Sequence, residues 1–386
     1  MEYACRFGIE EEYFLSEAGS RGIARKVPKS FFSEAKRRFP DEVQQEMLQS
    51  QIEIATPICA DMTEARKALS RLRMGLAGVA LEHELLLLAC GTHPSAVWAR
   101  QRVTDAARYD GLMRDLQMIG SRNQFCGLHV HVEVPDEDER IGLMRRITPY
   151  LPLLLALSTS SPFWQGRRTG LMGYRLAAYS ELPRTGLPEF FDDADDYRRY
   201  LSAMVASGAI KDASFLWWAI RPSQNHPTLE LRIADSCTRI EDTLAIAALF
   251  RCLVRYLLRN PEVNAGLTGA SRALAMENFW RAQRYGIHGG LICEPSQGMR
   301  PLAELVDELV GELREDIAVL DCEREIATCR TIAAVGTSAD LQLAIFEEAR
   351  QRGGDAAGLS AVVDWIASET RLNGEAGQAM ARRTGA

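Results

Sequence analysis

Several segments of the chain alternate between apolar and polar residues, a period that predicts strands with one buried and one open face. The most regular is Cys126–Val134, in which one Leu and three Val occupy every second position. The polar side chains between them project to the opposite face, and they are His129, His131 and Glu133. We therefore expect this strand to lie in an antiparallel sheet that has one side open to a cleft.

Arg6–Phe14 shows the same alternation and predicts a second strand. Because successive side chains of a strand point to opposite faces, Glu10 and Glu12 share one face and Glu11 points away from them. A third alternating segment places Glu53 between two isoleucines. The acids of these two strands are therefore candidates for a common polar face.

The rest of the pattern predicts helices interleaved irregularly with further strands, which favours an α+β fold over a strict β-α-β repeat. The helices expected are Pro28–Phe39, a helix from Asp61 to about Glu82, Asp105–Gly120, Asp138–Ser160 with interruptions around Pro149 and Pro152, Asp192–Ser207, Thr243–Leu258 and most of the chain after Glu277. The further strands expected lie within Gln44–Thr56, Leu85–Cys90, Leu216–Arg221 and Thr228–Ile233.

Local signals mark some of the boundaries. Asp61 and Thr238 each precede an acidic residue by three positions, which is the signature of a capping box at a helix start. Ser161–Gly186 is richer in Gly and Pro and predicts a loop. We expect a single domain over residues 1–386, with a core of about 5–300, a mainly helical part of about 301–370 and a loose tail.

Composition and charge exclude several classes of protein. The 386 residues are 47% hydrophobic and 25% charged, which is typical of a globular chain and not of a disordered one. A net charge of −7 argues against a nucleic-acid partner, because that binding depends on neutralising phosphates with Lys and Arg. No apolar stretch approaches the roughly 20 residues of a transmembrane helix, so no membrane association is expected.

The cysteines and the N-terminal segment indicate where the protein works. Nine cysteines are scattered without a CxxC pair, and an odd number cannot form a complete set of disulfides. Three consecutive acids beginning at Glu10 come too early for a secretory signal peptide. We expect reduced thiols in a cytoplasmic protein. A homodimer is the default expectation for its assembly, since twofold oligomers are the commonest.

Acids and imidazoles recur on one face of four predicted strands, and this set is the best candidate for chemistry. Its members are Glu10, Glu12, Glu53, His129, His131 and Glu230. Carboxylates crowded on a sheet face repel one another, and a divalent cation would remove that repulsion. Mg²⁺ prefers oxygen ligands that it shares with a substrate phosphate, and the imidazoles would also accept Mn²⁺.

Each part of this set also has an ordinary structural interpretation. Glu10 and Glu12 could be solvated surface, and Glu230 could form an ion pair with Arg232 on an exposed strand. His129 and His131 could instead serve a zinc hydrolase. However, no HExxH or Cys-rich signature accompanies them, and oxygen ligands outnumber nitrogen ligands.

A nucleotide site would have to use metal ions and arginines, since the chain has neither a P-loop nor a GxGxxG turn after a strand. Arginine binds phosphate and carboxylate through two parallel hydrogen bonds. The candidates lie in or beside the polar ends of predicted strands, and they are Arg175, Arg184, Arg221 and Arg232.

Taken in order, the motifs resemble those of the type 2 glutamate–cysteine ligase family, the YbdK-like carboxylate–amine ligases. The resemblance covers roughly residues 5–300. Any one motif is weak, whereas the ordered set is highly specific. The motifs are Gly8-Ile9-Glu10-Glu11-Glu12, Gln51-Ile52-Glu53-Ile54-Ala55-Thr56, Gly91-Thr92-His93-Pro94, Gly127-Leu128-His129-Val130-His131-Val132, Trp218-Ala219-Ile220-Arg221-Pro222-Ser223, Thr228-Leu229-Glu230-Leu231-Arg232-Ile233-Ala234-Asp235, Glu277-Asn278-Phe279-Trp280-Arg281-Ala282 and Arg284-Tyr285-Gly286.

The resemblance implies a fold and a reaction. The fold is that of the glutamine synthetase and guanidino kinase catalytic core, a curved antiparallel sheet forming a funnel with helices outside. In the reaction, ATP phosphorylates a small glutamate-like carboxylate, and a small cysteine-like amine then displaces phosphate from the acyl phosphate to form an amide. Weak glutamate–cysteine ligase activity would be one outcome.

The resemblance also implies roles for individual residues. The metal ligands would be Glu10, Glu12, Glu53, His129 and Glu230, with Mg²⁺ or Mn²⁺ as the ion. Arg232, Glu53 and Glu230 would be catalytic. The ATP or substrate contacts would come from Arg175, Arg221, Arg232, His131 and Thr92.

One departure from the family pattern leaves the number of metal ions open. Some members carry two acids in a Glu-Ser-x-x-Glu motif, whereas this chain has Gln49 in the first position and keeps only Glu53. Glu46 could supply the missing charge. The same core could also serve a phosphotransferase of the guanidino kinase type or a catalytically silent protein that binds metal and nucleotide. The substrates themselves would be selected by loops such as Ser161–Gly186 and Gln224–Pro227, which one sequence does not decode.

Overall fold

The structure is a computed structural model that describes residues 3–105, 107–294 and 298–372. The strands are β1 Phe7–Glu17, β2 Val43–Gln45, β3 Gln51–Ala55, β4 Leu85–Leu88, β5 Gly127–Glu133, β6 Phe163–Trp164, β7 Arg167–Arg168, β8 Thr185–Gly186, β9 Trp217–Trp218, β10 Ile220–Pro222, β11 Thr228–Asp235, β12 Gly290–Cys293 and β13 Gly298–Pro301. The helices are α1 Lys29–Arg38, α2 Met62–Glu82, α3 Ala107–Ser121, α4 Glu137–Ile147, α5 Leu151–Ser158, α6 Tyr174–Tyr179, α7 Ala194–Ala206, α8 Ile240–Arg259, α9 Gly269–Tyr285, α10 Leu302–Glu312, α11 Arg314–Val319, α12 Glu323–Val335 and α13 Ser338–Arg371.

The centre of the fold is a seven-stranded sheet in the order β10-β11-β5-β1-β3-β2, with β4 joined to the end of β1. Every pairing in this sheet is antiparallel. The mixture of helices with an antiparallel sheet confirms the predicted α+β class. No helix among the described residues is both long enough and apolar enough to cross a membrane.

Strand β1 has the alternation that the sequence predicts, and it continues three residues beyond Phe14 to Glu17. Phe7, Ile9 and Tyr13 face the main apolar core beneath the sheet, which α2, α5 and α8 help to build. Glu11 lies on that same side and is fully buried, whereas Glu10 is only partly buried on the other face.

An ion pair buried in the core accounts for the position of Glu11. Arg73 of α2 donates from Nε to the Glu11 carboxylate at 2.8 Å, and from a second nitrogen as well. Thr243 of α8 donates to the same carboxylate at 2.6 Å, and the Tyr13 hydroxyl donates to it too. Burial raises the pKa of Glu11, but Arg73 and the hydrogen bonds from Thr243 and Tyr13 together hold that pKa below its ordinary value.

The polar face of the sheet is open at one end and covered at the other. Phe14, on the same face as Glu10, packs into a second apolar cluster with Leu88. Helix α13 supplies Phe346 and Val362 to that cluster. The C-terminal helix therefore closes the end of the face beyond the acids, whereas the side chain of Glu10 remains 30% exposed at the other end.

The predicted interruption of the helix over residues 138–160 is confirmed, since α4 ends at Ile147 and α5 begins at Leu151. Helix α2 also begins as predicted, because Asp61 accepts from the backbone N–H of Glu64 at 2.8 Å. The Glu64 carboxylate reaches the N–H of Ala60, so only half of the capping box forms.

The capping box predicted at Thr238 is wrong. Helix α8 begins at Ile240 with Arg239 as its N-cap and without a side-chain cap. The Thr238 hydroxyl donates instead to the carbonyl of Ala89 at 2.8 Å and lies 2.6 Å from the Ser338 hydroxyl. The hydroxyl that a capping box would use thus binds residues that are distant in the sequence.

Three segments differ from the predicted elements. The supposed loop over residues 161–186 contains the short helix α6 and parts of two small sheets, because the buried side chains of Arg175 and Leu176 hold it against its neighbours. The supposed strand Leu216–Arg221 divides at Ala219, where β9 pairs with β8 and β10 pairs with β11. The stretch after Glu277 also includes the hairpin of β12 and β13.

Four helices, α10 to α13, cover residues 302–371. The expected tail beyond residue 372 lies outside the described residues. The division into a core, a helical part and a tail stays a prediction.

Replacing Arg73 with Met would leave the Glu11 carboxylate buried without its charged partner. We expect the free energy of unfolding to fall by about 3–5 kcal/mol in urea titrations, the usual cost of breaking a buried pair from one side. Arg21→Met is the control, because Arg21 pairs with Asp364 at 2.9 Å with both side chains exposed. It should cost less than about 1 kcal/mol. Similar losses in the two variants would contradict a special role for the buried pair.

Candidate metal centre

The acids and imidazoles predicted from the sequence meet on the open face of the sheet through the strand register. Glu12 of β1 stands directly opposite Glu53 of β3. Glu10 stands opposite His129 of β5. Residues directly opposite in antiparallel strands have neighbouring side chains, so each pair lies within contact distance.

A further row completes the face. His131 of β5 stands opposite Glu230 of β11, and Glu230 stands opposite Arg221 of β10. The His131 ring also approaches β1, where its Nε2 lies 3.4 Å from Glu10 Oε1. Five strands of the sheet, β1, β3, β5, β10 and β11, thus deliver side chains to one patch.

Two groups of three side chains have the spacing of a cation site. In each group one ligand atom per residue lies within 4.8 Å of the other two. The first group is Glu10, His129 and Glu230, and the second is Glu12, Glu53 and His129. His129 belongs to both, which places two candidate positions next to each other.

The donor atoms suit a divalent cation. His129 is 2% exposed, and its Nε2 is buried without a hydrogen-bond partner among the described residues. An unprotonated ring nitrogen facing carboxylates is a usual metal ligand, and carboxylate oxygens suit Mg²⁺ or Mn²⁺. The residues therefore fit such an ion.

Charge crowding is most severe at Glu53. Burial raises its pKa well above the ordinary value, and the nearby carboxylates of Glu46, Glu10 and Glu12 raise it further. Glu46 is therefore close enough to act on the charge of Glu53. Like charges held this close favour a proton or a cation between them.

The pKa of Glu10 is shifted in the opposite direction from that of Glu53. Burial alone would raise its pKa, but hydrogen bonds with His129 and His131 hold it well below the ordinary value. Burial and the positive charge of Arg232 lower the pKa of His129, so that ring is held neutral. A neutral imidazole and an ionised carboxylate are the forms that bind metals.

Arginines neutralise Glu230 on the far side of the patch. Arg221 donates from Nε to Glu230 Oε2 at 2.8 Å, and Arg232 pairs with Oε1 of the same carboxylate. Although burial opposes it, Arg232 and then Arg221 hold the pKa of Glu230 well below its ordinary value. Arg232 also lies 3.4 Å from His129 Nδ1, so its guanidinium adjoins both groups of ligands.

Some predicted site residues lie elsewhere. The Thr92 hydroxyl is buried and donates to the carbonyl of Phe163 at 2.7 Å. Arg184 donates to the carbonyl of Phe215 at 3.1 Å and covers the ring of Trp217. Gln49 donates to the carbonyl of Val103, so its amide is engaged by a neighbouring segment.

Arg175 is close to the patch but is directed at backbone. Its guanidinium donates to carbonyls of β11, of which that of Ala234 is nearest at 3.1 Å. Its side chain is almost fully buried and lies 3.9 Å from Asp235. The prediction that it lies in a loop is wrong, since it belongs to α6.

Sequence reasoning missed contacts that depend on backbone groups. The N–H of Gly127 donates to Glu12 Oε2 at 2.6 Å and fixes that carboxylate. Asp235 accepts from the backbone N–H of Ser160 at 3.0 Å, and also from the Ser161 hydroxyl at 2.6 Å, beside the patch. The only sequence signal for Asp235 is its place at the end of the Thr228–Asp235 motif.

The sequence is similar to those of known proteins over most of its length. The family model described as Glutamate-cysteine ligase family 2 matches residues 6–359. A protein of Bradyrhizobium diazoefficiens named "Putative glutamate--cysteine ligase 2" is 47% identical over 94% of this chain and 84% of its own length. A protein of the same name from Rhodospirillum rubrum is 45% identical over 96% of each chain.

Two solved structures share the fold. The glutamate–cysteine ligase of Francisella tularensis, solved in complex with AMP, has a TM-score of 0.72 at 14% identity, over 99% of this chain and 94% of that one. The bifunctional glutathione synthetase of Pasteurella multocida has a TM-score of 0.70 at 16% identity, over 95% of this chain. This chain spans 52% of the length of that bifunctional protein.

His93, in the motif that also contains Thr92, should make stability depend on pH. Burial lowers the pKa of His93 to about 3, while an unfolded histidine titrates near pH 6.5. Between these values the unfolded chain binds the additional proton, so stability should fall as pH decreases, by up to about 1.4 kcal/mol per pH unit. The free energy of unfolding, measured by urea titration at several pH values from pH 7 to pH 4, should depend less steeply on pH in His93→Gln than in the wild type. An equal slope would contradict the assignment.

Proposed function

The chain belongs to glutamate-cysteine ligase family 2, and from that membership we propose that it is an ATP-dependent carboxylate–amine ligase. The proposed substrates are ATP, a small glutamate-like carboxylate and a small cysteine-like amine. The observation that carries the proposal is the pair of adjacent ligand groups sharing His129. Such a site can hold the phosphates of a nucleotide beside a reacting carboxylate.

We propose separate roles for the side chains of the patch. Glu10, Glu12, Glu53, His129 and Glu230 would hold Mg²⁺ or Mn²⁺. When bound, the ions would neutralise phosphate charge and polarise the phosphoryl group under attack. Glu46 is near enough to raise the pKa of Glu53 and would add charge to the same site.

Arg232 would contact the transferring phosphoryl group. Its guanidinium adjoins His129 and Glu230, and its Nε is buried without a partner among the described residues. Phosphoryl transfer depends on positioning and charge neutralisation more than on covalent help from the protein. Arg221 keeps Glu230 ionised from the other side and would bind substrate only by exchanging that partner.

We expect a substrate to bind beside His131. Gly8 stands opposite His131 in the register, and a Cβ added at Gly8 would meet no atom within 4 Å. His131 Nε2 approaches Glu10, while its Nδ1 lies 3.0 Å from the Thr228 hydroxyl. The ring is therefore held in place at the edge of an open region, where it would bind and orient substrate.

The reaction needs two steps at this one place. Phosphorylation converts the substrate carboxylate into an acyl phosphate, whose phosphate is a good leaving group. The amine then forms the C–N bond as phosphate leaves and gives up a proton to a carboxylate of the site.

We propose that the sheet corresponds to the funnel-shaped core of glutamine synthetase and guanidino kinases, supported by its antiparallel pairing and single polar face. All nine cysteines are free, and eight are buried, which supports a reducing cytoplasmic setting. A homodimer remains the expected assembly.

Glu53→Gln and Glu230→Gln should each abolish Mg²⁺-dependent ADP release while the protein stays folded. Each change removes a charge from one ligand group without changing side-chain size, and a lost metal ligand commonly costs several kcal/mol of transition-state stabilisation. ADP release by a coupled assay and thermal unfolding would be measured together. Glu133→Gln is the matched control, because Glu133 is on the same face of β5 but pairs with the exposed Arg6. Wild-type turnover in either ligand variant would refute the assignment.

Arg232→Ala should lower kcat more than it lowers stability. We expect a loss of roughly 100-fold in kcat, typical of removing a positioned donor to developing charge. Steady-state ADP release and urea unfolding would be compared on one preparation. A variant that unfolds early but turns over normally would mean that Arg232 only balances the charge of Glu230.

An ADP-release screen with Mg²⁺-ATP and pairs of amino acids, followed by mass detection of the product, tests the reaction itself. An amide with release of phosphate is the expected result. A phosphorylated small molecule would favour a guanidino kinase type of phosphotransferase, and product without ATP would favour a hydrolase. No heat of Mg²⁺-ATP binding in calorimetry would rule out every reaction that uses the nucleotide.

A further inference from the structure

Strand β11 contains a β-bulge next to the candidate metal centre. Its pairing with β5 passes from Leu231 opposite Val130 to Ala234 opposite Leu128. The two intervening residues, Arg232 and Ile233, therefore share one partner position, that of His129. A bulge interrupts the hydrogen-bond ladder and changes the direction of the side chains beside it.

Arg175 occupies the break in this ladder. Its Nη1 lies 3.4 Å from the carbonyl oxygens of Arg232 and Ile233 and 3.1 Å from that of Ala234. Its Nη2 lies 3.4 Å from the Arg232 carbonyl. Buried carbonyls require donors, and one planar guanidinium serves three of them here.

The approach of Arg175 depends on a glycine. A Cβ at Gly127 would lie 2.3 Å from Arg175 Nη2 and 3.1 Å from His129 Nε2. Only a residue without a side chain permits the guanidinium to lie between β5 and the bulge. Gly127 thus admits Arg175 to a position beside the shared ligand His129.

Arg175 is also held from behind. Its backbone N–H donates to the Ser161 hydroxyl at 3.0 Å, and that hydroxyl donates to Asp235. The Asp235 carboxylate lies 3.9 Å from Arg175 Nη1 and accepts from the N–H of Ser160 at 3.0 Å. Both ends of the arginine are therefore fixed.

We propose that Arg175 is a positioning residue that acts through the β11 bulge to set the direction of the Arg232 side chain. Its terminal nitrogens face carbonyls of the chain, so it does not itself bind nucleotide or substrate. The proposal rests on the proposed function, in which Arg232 holds the transferring phosphoryl group. It also replaces the sequence-based expectation that Arg175 contacts phosphate.

The first test is the kinetics of Arg175→Met, which keeps the apolar stem and removes the donors. Misplacing Arg232 should lower kcat for ADP release by roughly 10- to 100-fold. KM for Mg²⁺-ATP should stay unchanged, because the lost contact belongs to the transition state. A raised KM with an unchanged kcat would show a direct nucleotide ligand and overturn the proposal.

Gly127→Ala provides an independent disturbance of the same contact. The added Cβ should displace the guanidinium and lower kcat in the presence of Arg175. In the Arg175→Met background its effect should be smaller, since Met ends before the position of Nη2 and only the 3.1 Å contact with His129 Nε2 is left. Losses that multiply in full in the double variant would contradict coupling through this contact.

Arg251→Met is the matched control for stability. Arg251 is also buried and donates to carbonyls, those of Cys5 at 2.7 Å and Ala60 at 2.6 Å, but on the far side of the sheet. It should lower the unfolding midpoint and leave kcat of the folded protein unchanged. An equal loss of kcat in both arginine variants would show that lost stability alone explains the effect of Arg175→Met.

Crystal structures of the wild type and of Arg175→Met give a result that needs no turnover. We expect the variant to lose the contact between Arg232 and Glu230 and to change the bulge. A variant that keeps both would overturn the positioning role even if no substrate is known. Failure of the wild type to release ADP with any substrate pair would instead count against the proposed function alone.

Discussion

The buried ion pair between Glu11 and Arg73 fixes the central strand with respect to both of its faces. Arg73 brings α2 to the strand, and Thr243 brings α8 to the same carboxylate. A shift of one residue in β1 would bury Glu10 and Glu12 in an apolar core and expose Glu11 and its aromatic neighbours. Such a shift would leave an arginine buried without its partner, which costs several kcal/mol. Glu11, which lies on the opposite face of β1, thus fixes the positions of Glu10 and Glu12 on the open face.

The open face carries electrostatic strain that the core would not tolerate. Burial and three neighbouring carboxylates oppose ionisation of Glu53, while two histidines hold Glu10 ionised close by. Arg221 and Arg232 pair with Glu230, and Arg232 also lowers the pKa of Glu53. Burial and the neighbouring carboxylates outweigh Arg232 at Glu53, so the acids remain crowded between β1 and β3. Crowded carboxylates are typical of a site that binds a cation. The apolar packing beneath the sheet offsets the free energy that this crowding costs.

The two ends of this face are treated differently. Near Phe14 the C-terminal helix α13 covers it with a second apolar cluster. Near Glu10 it is open, and the irregular part of the sheet, the β11 bulge, adjoins it. A bulge changes the direction of the side chains beside it, and here those side chains would meet a ligand. Solved ligases at 14–16% identity share this overall fold, so the chain path tolerates wide sequence change.

The sequence by itself determined the alternating strands, most of the helices and the set of acids and histidines that share a face. These features follow from the period of two and from local capping, which depend on near neighbours in the chain. Only the tertiary structure decided the partner of Glu11, the hydrogen bonds of Thr238 and the helix that contains Arg175. The bulge in β11 shows most clearly what the sequence pattern could not predict. Unbroken alternation would place Ala234 on the same face of the sheet as Glu230. In the observed register Ala234 lies opposite Leu128, and Asp235 lies opposite Gly127. Partners distant in the chain settle such positions, since hydrogen bonds and charges are satisfied in space and not in sequence.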